Sequence, residues 1–463
     1  MNLTLVLISA YVLAQLGIGW WVSRRISTEE DYLVAGRSLG FGLAVFTVFA
    51  TWFGAETCIG AAGAIYESGL SGGSADPFGY AVCLFLMGAV FAVPLWKRRL
   101  TTIADLFGQR FSPGVERMAV LLMVPASLLL GAAQIRAFGQ VVSASSGLEV
   151  ELTISIAAAV VIVYTVSGGL LADAITDTVQ GVALVVGLVV LFGAILMNGG
   201  TEAIARIEPQ RLEILGGGTL PWYEVAESWA IPVFGSVVAA ELVARVLATR
   251  TPGIARNAFL TAGGAYLAMG LIPVTIGLIG VQYLPGLEDP EQILPLLAQQ
   301  HLPGLLYVLF AGALLSAILS TVDSTLLVSA SLVSHNIIVP LRPDLSEAWK
   351  VRTARISVSV LGVLAYIMAL YAKGVYALVE QASAFGSAGI VVIVTFGLFT
   401  RIGGAASAFA ALTTGVMVWV LGSYVFALSW AYLAALGGAV AAYVLTATLE
   451  GLRVSGIEPV TAD

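Results

Sequence analysis

The sequence predicts an all-α polytopic membrane protein with thirteen transmembrane helices, and three observations carry that expectation. The 463 residues are 59% hydrophobic and only 11% charged, whereas a water-soluble domain carries about 25% charged residues. Apolar runs of about 20 residues, the length that crosses a bilayer, recur along the whole chain. The basic residues also sort to one side. With the N-terminus outside, seventeen of the 21 Lys and Arg, Arg245 among them, fall on inside segments, three fall outside, and Arg136 lies within a helix. Lys and Arg collect on cytoplasmic loops, and an error of one helix would scramble the sorting.

Residues 2–22 read as a retained leading helix. No basic region precedes them and no small-residue cleavage site follows, but Arg24 and Arg25 do. Further spans are expected near 40–66, 76–96, 117–145, 150–167, 174–197, 226–248, 258–283, 304–333, 354–372, 376–400, 404–424 and 429–449. This divides the chain into a leading helix (1–23), a first five-helix repeat (40–197), a second (226–400), two additional helices (404–449) and a cytoplasmic tail (450–463). The tail ends in an acidic EPVTAD that reads as disordered. Segments 198–225 and 284–302 are outside loops, and 102–111 is a short amphipathic helix on the cytoplasmic side. The expected location is a cell (plasma or inner) membrane, with the C-terminus cytoplasmic.

Several chemistries are excluded. Cys58 and Cys83 lie in apolar runs and read as small buried hydrophobes, and His301 and His335 have no metal-ligand spacing. A net charge of -7 without basic–aromatic clusters argues against nucleic acid. No GxxxxGK[ST] motif is present, so ATP is not the energy source within this chain, and nothing reads as an enzyme.

Two stretches break the apolar pattern. TVFATWFGAETCIGAAGAIY (47–66) carries Gly54, Gly60 and Gly63 around the acid Glu56. LLSAILSTVDSTLLVSAS (314–331) sets Ala317, Ser320, Thr321, Asp323 and Ser324 within two helical turns, most of them on one face. Backbone that leaves the helix inside a membrane survives only where something satisfies its polar groups, and a desolvated Na⁺ can do so with oxygen ligands. The segment 226–248 carries Pro232, Gly235, Ser236 and Glu241 five helices after 40–66. Interrupted helices at matching positions of two halves point to an inverted repeat with its binding site at the bilayer midplane.

LVAGRSLG (33–40), GAAGAIYESG (60–69), SGGLLADAITDTVQG (167–181) and SAILSTVDSTLLVSAS (316–331) resemble the sodium/solute symporter family, in register from about residue 30 to 400. The resemblance implies a leucine-transporter-type 5+5 inverted repeat, with one helix before the core and two after it. It also implies a sodium site formed by carbonyls of Ala50, Phe53 and Ala317 and the hydroxyls of Ser320 and Thr321. Some members bind a second sodium, for which Asp177, Ser320, Asp323 and Ser324 are the matching positions. Here Asp323 makes the site more acidic than an all-hydroxyl version, and Asp177 has the alternative of capping the start of its helix. Isolated Ser and Thr in membrane helices also bond back to carbonyls one turn earlier.

The remaining intramembrane polar residues, expected to face the cargo, are Trp52, Glu56, Thr57, Tyr80, Gln134, Arg136, Ser236, Glu241, Glu380, Gln381 and Ser383. Relatives that carry sugar have a lysine in the seventh core helix, which is absent here, and an Asn where this chain has Pro232. ATW ending at Trp52 and PFGY ending at Tyr80 resemble the choline branch, although Ala239 replaces a further tryptophan. The expectation is a small amine, quaternary ammonium or zwitterion co-transported with Na⁺. Arg136 would either pair with Glu56 or Glu241 or clamp a carboxylate. Proton coupling, and a transporter-like sensor working with a partner kinase, are the alternative functions.

Overall fold

The computed structural model describes residues 28–73, 75–167, 169–215, 220–342, 344–372 and 374–455, with the isolated positions 10, 13, 17 and 21. Most of the expected leading helix, and the EPVTAD tail, therefore lie outside the described residues. The described chain is helical throughout, apart from a single bridge between Leu39 and Thr249. Its main elements are α1 (Glu29–Val34), α2 (Phe41–Trp52), α3 (Ala61–Ser68), α4 (Ala75–Lys97), α5 (Ala104–Arg110), α6 (Pro113–Ser146) and α7 (Val150–Ser167). They continue as α8 (Leu170–Ala205), α9 (Trp222–Ala248), α10 (Pro252–Tyr283), α11 (Ile293–His301), α12 (Gly304–Leu341) and α13 (Glu347–Tyr371). The last are α14 (Val375–Ala384), α15 (Ser387–Phe399), α16 (Ala405–Val425) and α17 (Ala431–Ser455).

Among the described residues, 9 helices are long and apolar enough to cross a membrane, and up to 11 if each of two bent pairs counts as one span. Thirteen would further require α7, whose apolar part Val150–Val163 is short, and residues 2–22. Both bent pairs lie at expected spans. Phe41–Trp52 and Glu56–Ser68 meet at 51°, and Val375–Ala384 and Ser387–Phe399 meet at 41°. The first bend follows from backbone geometry, because Phe53 at φ -88, ψ 72 leaves the helical region. The ninth helix breaks too, at Ala239 (φ -54, ψ 139).

Hydropathy does not tell which helices are central. The most hydropathic window of α8 is 33% buried, while that of α12 is 83% and that of α9 is 89% buried. The central helices carry hydroxyls and acids among their apolar residues, so they bury where other helices satisfy those groups rather than facing lipid. Helix α12 packs on α6, α8 and α13, and α2 lies between α8 and α10.

The two hydrophilic segments dock on the end of α3. Arg211 Nη2 donates to the carbonyls of Ile65 and Tyr66 at the end of α3, both at 2.7 Å; the Ile65 carbonyl also accepts the amide of Gly69 at 2.9 Å. Glu291 Oε1 accepts the amides of Val375 (2.8 Å) and Tyr376 (3.1 Å) at the start of α14. Segment 102–111 contains the expected short helix, α5.

Candidate functional site

The break between α2 and α3 is held from α6. Gln134 Oε1 accepts the freed amide of Ala55 at 3.0 Å, and its Nε2 donates to Glu56 Oε2 at 2.7 Å. A side chain therefore does part of the satisfying that a break inside a membrane requires. Thr321 of α12 reaches the same place. Its Oγ1 lies 3.4 Å from the carbonyl of Ala50 and 3.3 Å from that of Ala317. Three of the five oxygens expected around sodium thus converge, and Phe53 supplies the turn of backbone beside them. Gly54 makes the convergence possible: a Cβ there would lie 2.7 Å from Thr321 Oγ1.

Most hydroxyls of α12 bond back to their own helix, Thr321 to the Ala317 carbonyl and Ser324 to the Ser320 carbonyl among them. Thr325, Ser329 and Ser331 donate to carbonyls three or four residues earlier, at 2.9, 2.7 and 2.7 Å. Ser320 instead reaches across to Asp177 Oδ1, and Thr47 of α2 donates to Asp177 Oδ2 at 2.5 Å. Asp177 lies two turns into its helix and is fully buried, so it does not cap the helix start. Ser324 donates to Asp173 Oδ2 at 2.9 Å, and Arg245 donates to both Asp173 and Ser324. Asp323 is buried beside them.

One cavity lies beside the break. Trp52, Glu56, Tyr80, Ser236, Glu241 and Ser383 line it together. The Trp52 and Tyr80 rings meet edge-on, with centroids 5.9 Å apart at 85°. Ser383 joins two walls: Tyr80 Oη lies 3.0 Å from its Oγ, and Ser236 Oγ donates to it at 3.1 Å. Ser127 donates to Glu241 Oε1 at 2.5 Å. A second cavity shares Glu56 and Tyr80 and adds the exposed Glu380.

Four expected cargo residues stand elsewhere, and one of them, Gln381, is exposed and lines neither cavity. Thr57 donates to Asp76 Oδ2 at 2.8 Å, in a buried triad with Tyr266, whose hydroxyl donates to Asp76 Oδ1 at 2.9 Å. It follows Glu56 by one residue, about 100° round a helix, which turns it from the cavity. Gln134 stands behind Glu56 and does not line the cavity. Arg136 pairs with neither Glu56 nor Glu241; its Nη1 donates to the carbonyl of Ala369 at 3.3 Å. Two residues past Gln134 it points to the far side of α6.

Residues outside the expected set complete the picture. Asp76, Tyr266, Thr47 and Ser127 satisfy members of that set, and Asp173 and Arg245 join the acids of α8 and α12. Asp173 stands in the quoted stretch SGGLLADAITDTVQG, four residues before Asp177 on the same helix face. Charge sorting places Arg245 with the cytoplasmic residues, yet its side chain is fully buried. The reason is that it has carboxylates to meet there, which its own helix does not reveal.

The model of the sodium:solute symporter family matches residues 32–415. The chain belongs to the sodium:solute symporter family. It is a multi-pass membrane protein of a family of transporters, not enzymes. The chain is 30% identical over 405 residues to the high-affinity choline transporter 1 of Caenorhabditis elegans, covering 80% of this chain and 68% of the relative. It is 26% identical over 437 residues to the osmoregulated proline transporter OpuE of Bacillus subtilis, covering 89% and 87%. This chain thus spans about two thirds of the length of the choline transporter and most of the proline transporter. In fold it is similar to a Na⁺-coupled sialic acid symporter solved in a substrate-bound outward-open state. That match has TM-score 0.83 at 19% identity and covers 96% of this chain and 98% of the other. The all-helical fold is accordingly that of the leucine-transporter-type sodium symporters.

Proposed function

We propose that this chain is a sodium-coupled symporter that imports a small organic cation, with a quaternary ammonium of the choline type as its solute. The observation that carries the reading is the junction of two oxygen-lined places at one helix break. Ala50, Ala317 and Thr321 offer oxygens on one side, and Trp52, Glu56 and Tyr80 face a cavity on the other. The sodium ligands are Ala50, Phe53, Ala317, Ser320 and Thr321. Their carbonyls and hydroxyls form a site without formal charge, which suits an ion that must leave again.

The cavity chemistry favours a cation over a zwitterion. Its lining holds two acids, Glu56 and Glu241, and no Lys or Arg among the described residues. With Arg136 turned to Ala369, the one candidate clamp for a carboxylate is elsewhere. A cation over the Trp52 and Tyr80 rings gains about 2 kcal/mol or more per desolvated contact. The relationship to choline transporters supports the same class.

In the mechanism, Na⁺ entering from outside braces the break at Phe53 and sets Trp52 and Glu56 for the solute. Rocking of the helix bundle then exposes both sites inward, where low Na⁺ empties the ion site and frees the solute, with the basic end of the bundle in the cytoplasm. The membrane potential contributes ~2.3 kcal/mol per charge per 100 mV to inward movement. The deciding experiment is uptake into proteoliposomes under imposed Na⁺ or pH gradients, with choline, betaines, amino acids, carboxylates and sugars as the panel. Choline uptake driven by Na⁺ is expected. Uptake driven by a pH gradient alone, or no uptake of any of the panel, overturns the reading.

A further inference from the structure

The positions that match a second sodium site already contain a cation of the protein's own. Arg245 projects from α9, and its side chain is fully buried. Its Nη2 donates to Asp173 Oδ2 of α8 and to Ser324 Oγ of α12, and it lies 3.8 Å from Asp177 Oδ2. Asp323 is buried beside the same acids. A sodium ion between Asp177, Ser320, Asp323 and Ser324 would need the lone pairs of these oxygens. Ser324 Oγ instead accepts from the guanidinium, and its single proton has Asp173 Oδ2 and the Ser320 carbonyl as acceptors, each at 2.9 Å. Guanidinium stays charged at any accessible pH and offers only donors. It therefore sets one fixed positive charge against Asp173 and, at 3.8 Å, Asp177, without an ion from solution. Among the described residues the Thr321 hydroxyl at the α2 break bonds to the carbonyls of Ala50 and Ala317 and to no cationic side chain.

We propose that Arg245 is a tethered cation standing in place of a second sodium ion between α8 and α12, so that each chain binds one Na⁺, at the α2 break. The inference rests on the sodium-coupled reading above and deepens it by setting the ion stoichiometry. Because α9 brings the charge while α8 and α12 bring the acids, the pair also joins the second repeat's broken helix to the helices it packs against.

The test is equilibrium binding of radiolabelled Na⁺ to the purified full-length chain in detergent, without solute. The wild type is expected to saturate at one ion without cooperativity. Thr321→Ala should abolish that binding, since the ion sits at the break. Arg245→Gln should double the saturating amount, because Asp177, Asp173 and Asp323 are then uncompensated, whereas Arg245→Lys, which keeps a tethered charge, should leave it at one. Two ions per wild-type chain, or a single ion that survives Thr321→Ala and is lost in Asp177→Asn, overturns the proposal whether or not Arg245→Gln folds. No saturable Na⁺ binding at all would instead remove the sodium-coupled reading, and this inference with it.

Discussion

Replacing Gly54 by alanine tests the geometry of the break with a single carbon atom. The added Cβ would lie 2.7 Å from Thr321 Oγ1, 2.9 Å from Glu56 Oε2 and 3.1 Å from Gln134 Oε1. The first two distances are shorter than a Cβ tolerates against a fixed atom, so Thr321 and Glu56 must move. Overpacking of this kind costs about 1–3 kcal/mol. If that strain is relieved by turning the Thr321 hydroxyl from Ala50 and Ala317, sodium loses a ligand. At 1.4 kcal/mol per factor of ten, the expected weakening of Na⁺ binding is about 5- to 150-fold. Gly181 is the control. It is also buried, but a Cβ there meets Phe46 and Ala50 at 3.5 and 3.6 Å, ordinary contact. The assay is the Na⁺ dependence of thermal stability and of uptake for purified Gly54→Ala and Gly181→Ala. A Gly54→Ala protein that folds and keeps the wild-type Na⁺ dependence would refute the placement of sodium at this break.

Three further outcomes are expected. Trp52→Ala should weaken binding of a quaternary ammonium by about 30-fold, equivalent to ~2 kcal/mol of lost cation–π contact, while leaving Na⁺ binding in the absence of solute near wild type; competition binding with choline measures it. Gln134→Leu leaves both the Ala55 amide and Glu56 without their partner, and should lower stability in detergent by about 1–3 kcal/mol, read by thermal unfolding. The last concerns acid stability at α5. Burial raises the carboxyl pKa of Asp105, but hydrogen bonds from His335 and the amides of Thr102 and Thr101 outweigh it and hold the group below its ordinary range. Its stabilisation is therefore complete above the unfolded value of about 3.9 and lost as pH falls through the lower folded value. The difference in unfolding temperature between wild type and Asp105→Asn should shrink as pH drops below about 4, and a constant difference would contradict that assignment.

Much of the architecture could be read directly from the residues. Apolar runs fix where helices lie, because backbone in lipid must bond to itself. Gly54 and the neighbouring acid Glu56 marked the bent span, and Ala317, Ser320 and Thr321 share one face by helical periodicity alone. The short helix at α5 and the breaks within the spans 40–66 and 226–248 were legible for the same reason: each is a property of residues close together in the chain. Three-dimensional proximity was not. Thr57 and Arg136 lie within two residues of Glu56 and Gln134 in the chain, yet their own helices carry them to other partners, Asp76 and the carbonyl of Ala369.

By itself the sequence determined the class of protein, the place of most of the apolar helices and the oxygen-bearing face of α12, because hydropathy and helical period act over one or two turns. Only the tertiary structure decided that Thr321 meets Ala50 across 271 positions of chain, and that Arg245 lies among the acids rather than at a loop. Helix packing sets those meetings, and whether a buried charge is tolerable depends on what the neighbouring helices bring to it.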